Sequence, residues 1–136
     1  MSNVSPSGTR PPATSGMRHV ALFVTDLEAT LDFYTDLLGM TVEWRPDSDN
    51  AYLTSGNDNL ALHRAEQEPP AGSLDHIGFF LDRPEDVDSW YRFLADNGVQ
   101  LFTEPRTHRD GARSFYCADP AGTRVQLIFH PPLAPQ

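Results

Sequence analysis

The chain has 136 residues, a formal charge of −9, a pI near 4.7 and 39% hydrophobic residues. That length suits one domain, or two small modules sharing a core, and the acidity disfavours nucleic acid, whose phosphate backbone it would repel. No apolar run approaches the roughly 18–20 residues of a membrane-spanning helix, and the one cysteine, Cys117, excludes an internal disulfide and fits a reducing cytoplasm.

Residues 1–16 are rich in Ser, Pro, Gly and Thr and lack the apolar stretch of a signal peptide, so a disordered tail is expected there. Residues 17–25 form an apolar run rich in strand formers. Alternation puts His19, Ala21 and Phe23 on one face and Val20, Leu22 and Val24 on the other. Asp26 is placed to cap a helix over 27–38, in which Leu27, Leu31, Tyr34, Leu37 and Leu38 recur at helical spacing, and Gly39 stops it. Residues 40–45 read as a strand and 46–50 as a turn. Residues 51–55 and 59–64 read as a strand pair across Gly56-Asn57-Asp58. Residues 66–73, with Pro69, Pro70 and Gly72, read as a linker.

The second half repeats the order. Residues 74–81 read as a strand. Pro84 opens a helix that continues over 85–97 with Val87, Trp90, Tyr91 and Leu94 on one face, and Gly98 ends it. Residues 99–104, 112–117 and 123–130 read as strands, with a tight turn at Asp119-Pro120-Ala121-Gly122 before the last, and 131–136 as a tail. His19 and His76 stand 57 positions apart, as do the aromatic pairs Phe33-Tyr34 and Trp90-Tyr91. The chain therefore reads as an α+β domain over 17–130 built from two βαβββ modules, about 17–65 and 74–130. Together they form a curved mixed sheet, with helices outside and a cavity inside. Neither module alone buries much core.

The repeat carries the candidate chemistry. His19 and His76 occupy the same point of the two modules. In the last strand, Val125, Leu127 and Phe129 share the core face, while Gln126, Ile128 and His130 face the cavity. Gln126 has Ala61 as its counterpart, and His63 lies one pleat further along the face of Ala61. His19, His76 and Gln126, with His63 as a fourth, are thus candidate ligands for a divalent cation such as Fe, Ni, Zn or Mn, with open positions left for substrate or water.

The Met17-Arg18-His19 opening, Val24-Thr25-Asp26-Leu27, Phe33-Tyr34, Leu38-Gly39-Met40, Asp75-His76-Ile77 and the Asp119-to-Gly122 turn carry a family resemblance. Over about residues 17–130 the chain resembles the vicinal oxygen chelate superfamily, which includes glyoxalase I, fosfomycin resistance enzymes, bleomycin resistance proteins and extradiol dioxygenases. His108, Phe115-Tyr116, Asp119-Pro120, Gly122 and position 126 follow the spacing of the extradiol dioxygenase signature. The resemblance implies His19, His76 and position 126 as metal ligands, with Tyr116 and His108 contacting substrate or moving protons. It also implies a homodimer. The sequence departs from the pattern at Gln126, where that signature has glutamate. An amide brings a dipole where a carboxylate brings a charge, although glutamine serves as a ligand in some glyoxalase I enzymes.

Two functions follow from different classes. One is a divalent-metal enzyme, dioxygenase-like or glyoxalase-like, whose substrate chelates the metal through adjacent oxygens. The other is a metal-free protein that sequesters an aromatic small molecule. The second draws on the missing carboxylates at 61 and 126 and on the aromatic surface of Trp44, Phe79, Phe80, Trp90 and Phe115. Arg113 is a candidate for an anionic substrate group, though alternation sets it with Phe115 rather than Tyr116. Cys117 reads as a small buried apolar residue.

Overall fold

A computed structural model describes residues 17–70, 72 and 74–133. The expected disordered tail at 1–16 and the last three residues lie outside that range. Each half contributes a four-stranded mixed sheet. The first holds β1 (His19–Val24), β2 (Thr41–Asp47), β3 (Asn50–Thr54) and β4 (Asn59–Arg64) in the order β1-β4-β3-β2. The second holds β5 (Ile77–Leu81), β6 (Arg106–Thr107), β7 (Arg113–Ala118) and β8 (Arg124–Phe129) in the order β5-β8-β7-β6. In both sheets the first strand pairs parallel with the last and the remaining pairs are antiparallel.

Two helices cover one side of these sheets. α1 (Leu27–Asp32) starts at Asp26, whose carboxylate accepts the Ala29 amide at 3.0 Å. The helix does not continue as expected to Leu38. From Phe33 to Leu37 it widens into a π-turn, closed by the Leu38 amide on the Phe33 carbonyl at 3.1 Å. The Thr35 hydroxyl, 2.9 Å from the Leu31 carbonyl, competes for the acceptor there. Gly39, at φ 80°, then ends it. α2 (Pro84–Asp96) runs as expected and stops at Gly98, at φ 76°.

Three other boundaries differ from expectation. β2 extends through Pro46, assigned above to a turn. It is an edge strand, where a missing amide costs no ladder bond. β5 begins at Ile77, so His76 sits just before it. Residues 99–104 form no strand. Only Leu101 bridges Cys117, and the Thr103 hydroxyl takes the Tyr116 amide at 3.0 Å, the position that a strand's own carbonyl would fill.

The core is one cluster shared by both halves. Leu22, Val24, Leu53, Leu60 and Leu62 lie with Leu27, Leu31, Phe33 and Tyr34; Phe115, Cys117, Val125 and Leu127 lie with Val87 and Leu94. Leu22 and Val24 of β1 and Val125 and Leu127 of β8 lie on the faces that alternation set opposite His19 and Gln126. The Tyr34 hydroxyl joins the halves by donating to Asp119 Oδ2 at 2.8 Å in a fully buried setting. Asp119 Oδ1 accepts the Ala121 and Thr123 amides at 2.9 and 2.8 Å, which builds the turn into β8.

Burial holds the Asp119 carboxyl above its usual range, against the opposing pull of its Tyr34, Thr123 and Ala121 hydrogen bonds. A raised carboxylate contributes stability below the ordinary aspartate value of about 3.9 and loses it as pH rises through the raised value, so ionised Asp119 needs its donors. Tyr34→Phe leaves a buried acceptor short of a partner and is expected to cost about 1–3 kcal/mol. Urea denaturation near neutral pH measures it, and an unchanged midpoint would contradict this role for Tyr34.

Candidate functional site

Strand pairing sorts the candidate residues. In the second sheet Gln126 lies opposite Gly78 on one side and Tyr116 on the other, and Ile128 lies opposite Phe80 and Ser114. His76 precedes β5 on the same side. His76, Gly78, Phe80, Gln126, Ile128 and His130 line one hollow of about 350 Å³. The His76 and Tyr116 rings meet edge to face at 5.1 Å, and Gln126 Nε2 donates to the Tyr116 hydroxyl at 3.3 Å. His76, Tyr116 and Gln126 are therefore brought together. A Cβ added at Gly78 would lie 3.5 Å from Gln126 Oε1, in ordinary contact, so this neighbour packs directly on the amide.

His19 and His63 stand on the other sheet. His19 lies opposite Asn59, Ala21 opposite Ala61, and Phe23 opposite His63. Ala61 lies opposite Tyr52 as Gln126 lies opposite Tyr116, so Tyr52 is the first-module counterpart of Tyr116. His63 packs between Phe23 and Tyr52, and Tyr52 stacks on Trp44 at 5.1 Å. Among the described residues no hydrogen bond or ring contact joins either histidine to His76, Tyr116 or Gln126. Nor is there a group of three or more His, Cys, Asp or Glu side chains able to hold a metal among them.

The donor chemistry nonetheless suits a cation. A ligating imidazole usually donates one ring N–H to an oxygen and keeps the other nitrogen for the metal. His76 Nδ1 lies 2.6 Å from Asp75 Oδ2, and His19 Nδ1 lies 2.7 Å from Asn59 Oδ1. Both rings thereby point Nε2 away from their anchors, with no hydrogen bond to it among the described residues. His63 is held the same way, by Asn50 Oδ1 at 2.6 Å. The His76 hydrogen bond keeps the exposed Asp75 carboxyl below the usual carboxylate range. Gln126 has its amide N–H on Tyr116 and, among the described residues, no hydrogen bond to its oxygen.

His108 lies elsewhere. It sits in the loop between β6 and β7, its ring 3.3 Å from Ser114 Oγ, in a separate hollow with Arg106, Arg109 and Asp110. Ser114 shares a strand face with Tyr116, so His108 reaches the site side only through it. Arg113 does not face the site. It forms a two-pronged pair with Asp88 on α2, at 2.7 and 3.0 Å. Cys117 is fully buried and its thiol is pushed up to about 12, mainly by burial, so it is no nucleophile. Of the aromatic residues expected to offer surface, Trp44 and Phe80 are exposed, Phe79 and Trp90 pack on the core, and Phe115 is inside it. A larger hollow of about 600 Å³ behind the helices, lined by Asp32, Asp36 and Asp119 among others, contains no histidine.

Asn59 and Arg124 were not picked out by sequence reasoning, and Asp75 entered only as part of the Asp75-His76-Ile77 motif, without a role. Arg124 spreads over the rings of Phe102 and Tyr116, at 5.0 and 5.6 Å from their centres, and so places a cation against the Tyr116 ring. Its sequence position, two before Gln126 on β8, is the signal that could have found it.

The fold and this site define a chain of the glyoxalase type. It belongs to the Glyoxalase/Bleomycin resistance protein/Dioxygenase superfamily, whose model matches residues 16–127. It is 32% identical over 119 residues to metallothiol transferase FosB of Staphylococcus epidermidis, covering 83% of this chain and 80% of that protein. It is also 32% identical over 114 residues to glutathione transferase FosA of Serratia marcescens, covering 82% and 78%. The structure of lactoylglutathione lyase from Agrobacterium tumefaciens matches with a TM-score of 0.75 at 23% identity over 91% of this chain and 98% of that one, a likeness of fold. These FosB and FosA relatives are transferases by name, where the sequence suggested dioxygenase or glyoxalase chemistry.

The Arg113 guanidinium beside it holds Asp88 below the usual carboxylate range. Stability from this pair is present above the ordinary aspartate value and lost as pH falls through the lowered one. Arg113→Met is expected to cost about 1 kcal/mol or less, given the partial exposure of both groups, and to leave ligand binding unchanged. A thermal melt paired with a binding titration checks this, and lost binding at full stability would return Arg113 to the site.

Proposed function

We propose that the protein is a divalent-metal-dependent transferase that joins a thiol to a small electrophile through a site shared by two copies of the chain. The observation that supports this best is the meeting of His76 and Gln126 in one hollow with Tyr116 in contact with both, while no hydrogen bond among the described residues engages His76 Nε2 or Gln126 Oε1. The names of the FosB and FosA relatives support thiol transfer.

His76 and Gln126 would hold the cation together with His19. Because His19 lies on the other sheet, it would come from a second copy, in a homodimer that covers the exposed Phe23 and Phe80, 63% and 60% accessible in the single chain. His63 stays outside the ligand set. Once bound, the cation would supply Lewis-acid polarisation of a substrate oxygen. Tyr116 accepts its hydrogen bond from Gln126 and so keeps its own proton to donate to that oxygen as negative charge grows there. Arg124 adds positive potential on the same side. In balance, a carbon–sulfur bond forms, the carbon–oxygen bond of the electrophile opens, and the thiol proton ends on the released oxygen.

Gln126 leaves the site one negative charge poorer than a carboxylate would, so it should bind cations more weakly. Gln126→Glu is expected to tighten Mn2+ or Zn2+ binding about tenfold or more by calorimetry, on that electrostatic ground. His76→Ala should abolish binding, and Tyr116→Phe should slow adduct formation about 10²-fold while sparing metal affinity. Mass spectrometry of glutathione adducts across a panel of small electrophiles, with and without metal, tests the activity. Adducts formed equally well by His76→Ala would sink the reading. The metal-free sequestration reading draws on the row Trp44, Tyr52, His63 and Phe23. It gains if aromatic ligands quench Trp44 while no divalent ion binds.

A further inference from the structure

The two candidate histidine ligands are anchored differently. His76 donates to a carboxylate, Asp75, directly. His19 donates to an amide, Asn59, its neighbour in the parallel β1–β4 pairing. An amide can present either oxygen or NH2 to a ring, so on its own it does not choose a tautomer. Here the choice is made one residue further on. Asn59 Nδ2 donates to Glu43 Oε1 at 3.1 Å. A carboxylate only accepts, so Asn59 must turn its NH2 to Glu43 and its oxygen to His19. His19 Nδ1 then carries the proton and Nε2 carries the lone pair. The same logic recurs on this sheet, where Asp47 takes the Asn50 NH2 at 2.9 Å and Asn50 Oδ1 takes His63 Nδ1.

We propose that Glu43 and Asn59 are positioning residues that lock His19 in the tautomer with its proton on Nδ1, leaving Nε2 free for the cation. This rests on the metal-dependent reading above for its purpose, though not for its geometry. The imidazole of a free histidine prefers the opposite tautomer, with the proton on Nε2, so an unanchored His19 would spend most of its time with the wrong nitrogen protonated. The partners lie on three strands, β1, β4 and β2. The lock therefore also ties the ring direction to the sheet.

Long-range proton–nitrogen NMR of the metal-free full chain at pH 8, where histidine is neutral, reads the tautomer directly. The wild type is expected to show the Nδ1–H form at His19. Asn59→Leu should swing His19 toward the Nε2–H form and weaken Mn2+ or Zn2+ binding about 10- to 100-fold, the usual effect of losing such a partner. Asn59→Asp combined with Glu43→Gln rebuilds the chain with roles exchanged and should restore both readouts, which also answers any doubt about folding. A wild-type His19 in the Nε2–H form, or a tautomer unmoved by Asn59→Leu, overturns the proposal even if metal binds. A tautomer that responds in a protein that binds no divalent ion upholds it and removes the metal-dependent reading instead.

Discussion

The parallel pairing of the first and last strand within each half is the constraint on which the rest of the structure depends. It fixes Phe23 opposite His63 and Gly78 opposite Gln126, and with them the face on which every other residue of those strands lies. A slip of one position would carry Leu22, Val24, Val125 and Leu127 to the open side and His19 and Gln126 into the core. The four apolar side chains are buried to within a few per cent, so the register is held by the hydrophobic effect rather than by the polar groups that benefit from it. The chemistry is thus carried on the face that the core leaves over.

A second constraint connects the halves. Tyr34 belongs to the first and Asp119 to the second, and their buried hydrogen bond sets the turn from which β8 departs. β8 carries both Arg124 and Gln126, so the position of the site in one half is referred to a helix in the other. Burial raises the Tyr34 hydroxyl well above its ordinary value, which favours the protonated form that donates to Asp119.

Period-two and helical patterns made the fold legible in the sequence, because strand alternation and helix stops are local properties. The faces of β1 and β8, the Asp26 cap and the Asp119 turn all follow from residues within a few positions of each other. Two misjudged places were decided by distant partners, Pro46 on an edge strand and residues 99–104 tied to Tyr116 by a side chain, whereas the widened turn at Phe33–Leu37 turns on the local contact of Thr35 with the Leu31 carbonyl. The candidate site divides the same way. His76 and Gln126 could be placed on one face from strand alternation; repeat symmetry also suggested that His19 would join them, and among the described residues no hydrogen bond or ring contact links it to them. The anchoring roles of Asp75 and Asn59 were not legible because a hydrogen-bond partner has no periodic signature. Arg113 pairs with Asp88 across α2, a contact that needs the packed structure to be seen.

The central claim is that one cation site takes His19 from one copy and His76 with Gln126 from another. Mixing the His19→Ala and His76→Ala chains after unfolding and refolding tests it most directly. In a shared site, half of the dimers are mixed and each of these regains one intact site, so about a quarter of the wild-type metal stoichiometry should return, although neither variant binds alone. If no binding returns in a mixture shown to contain mixed dimers, the ligands do not come from two copies and the claim is contradicted.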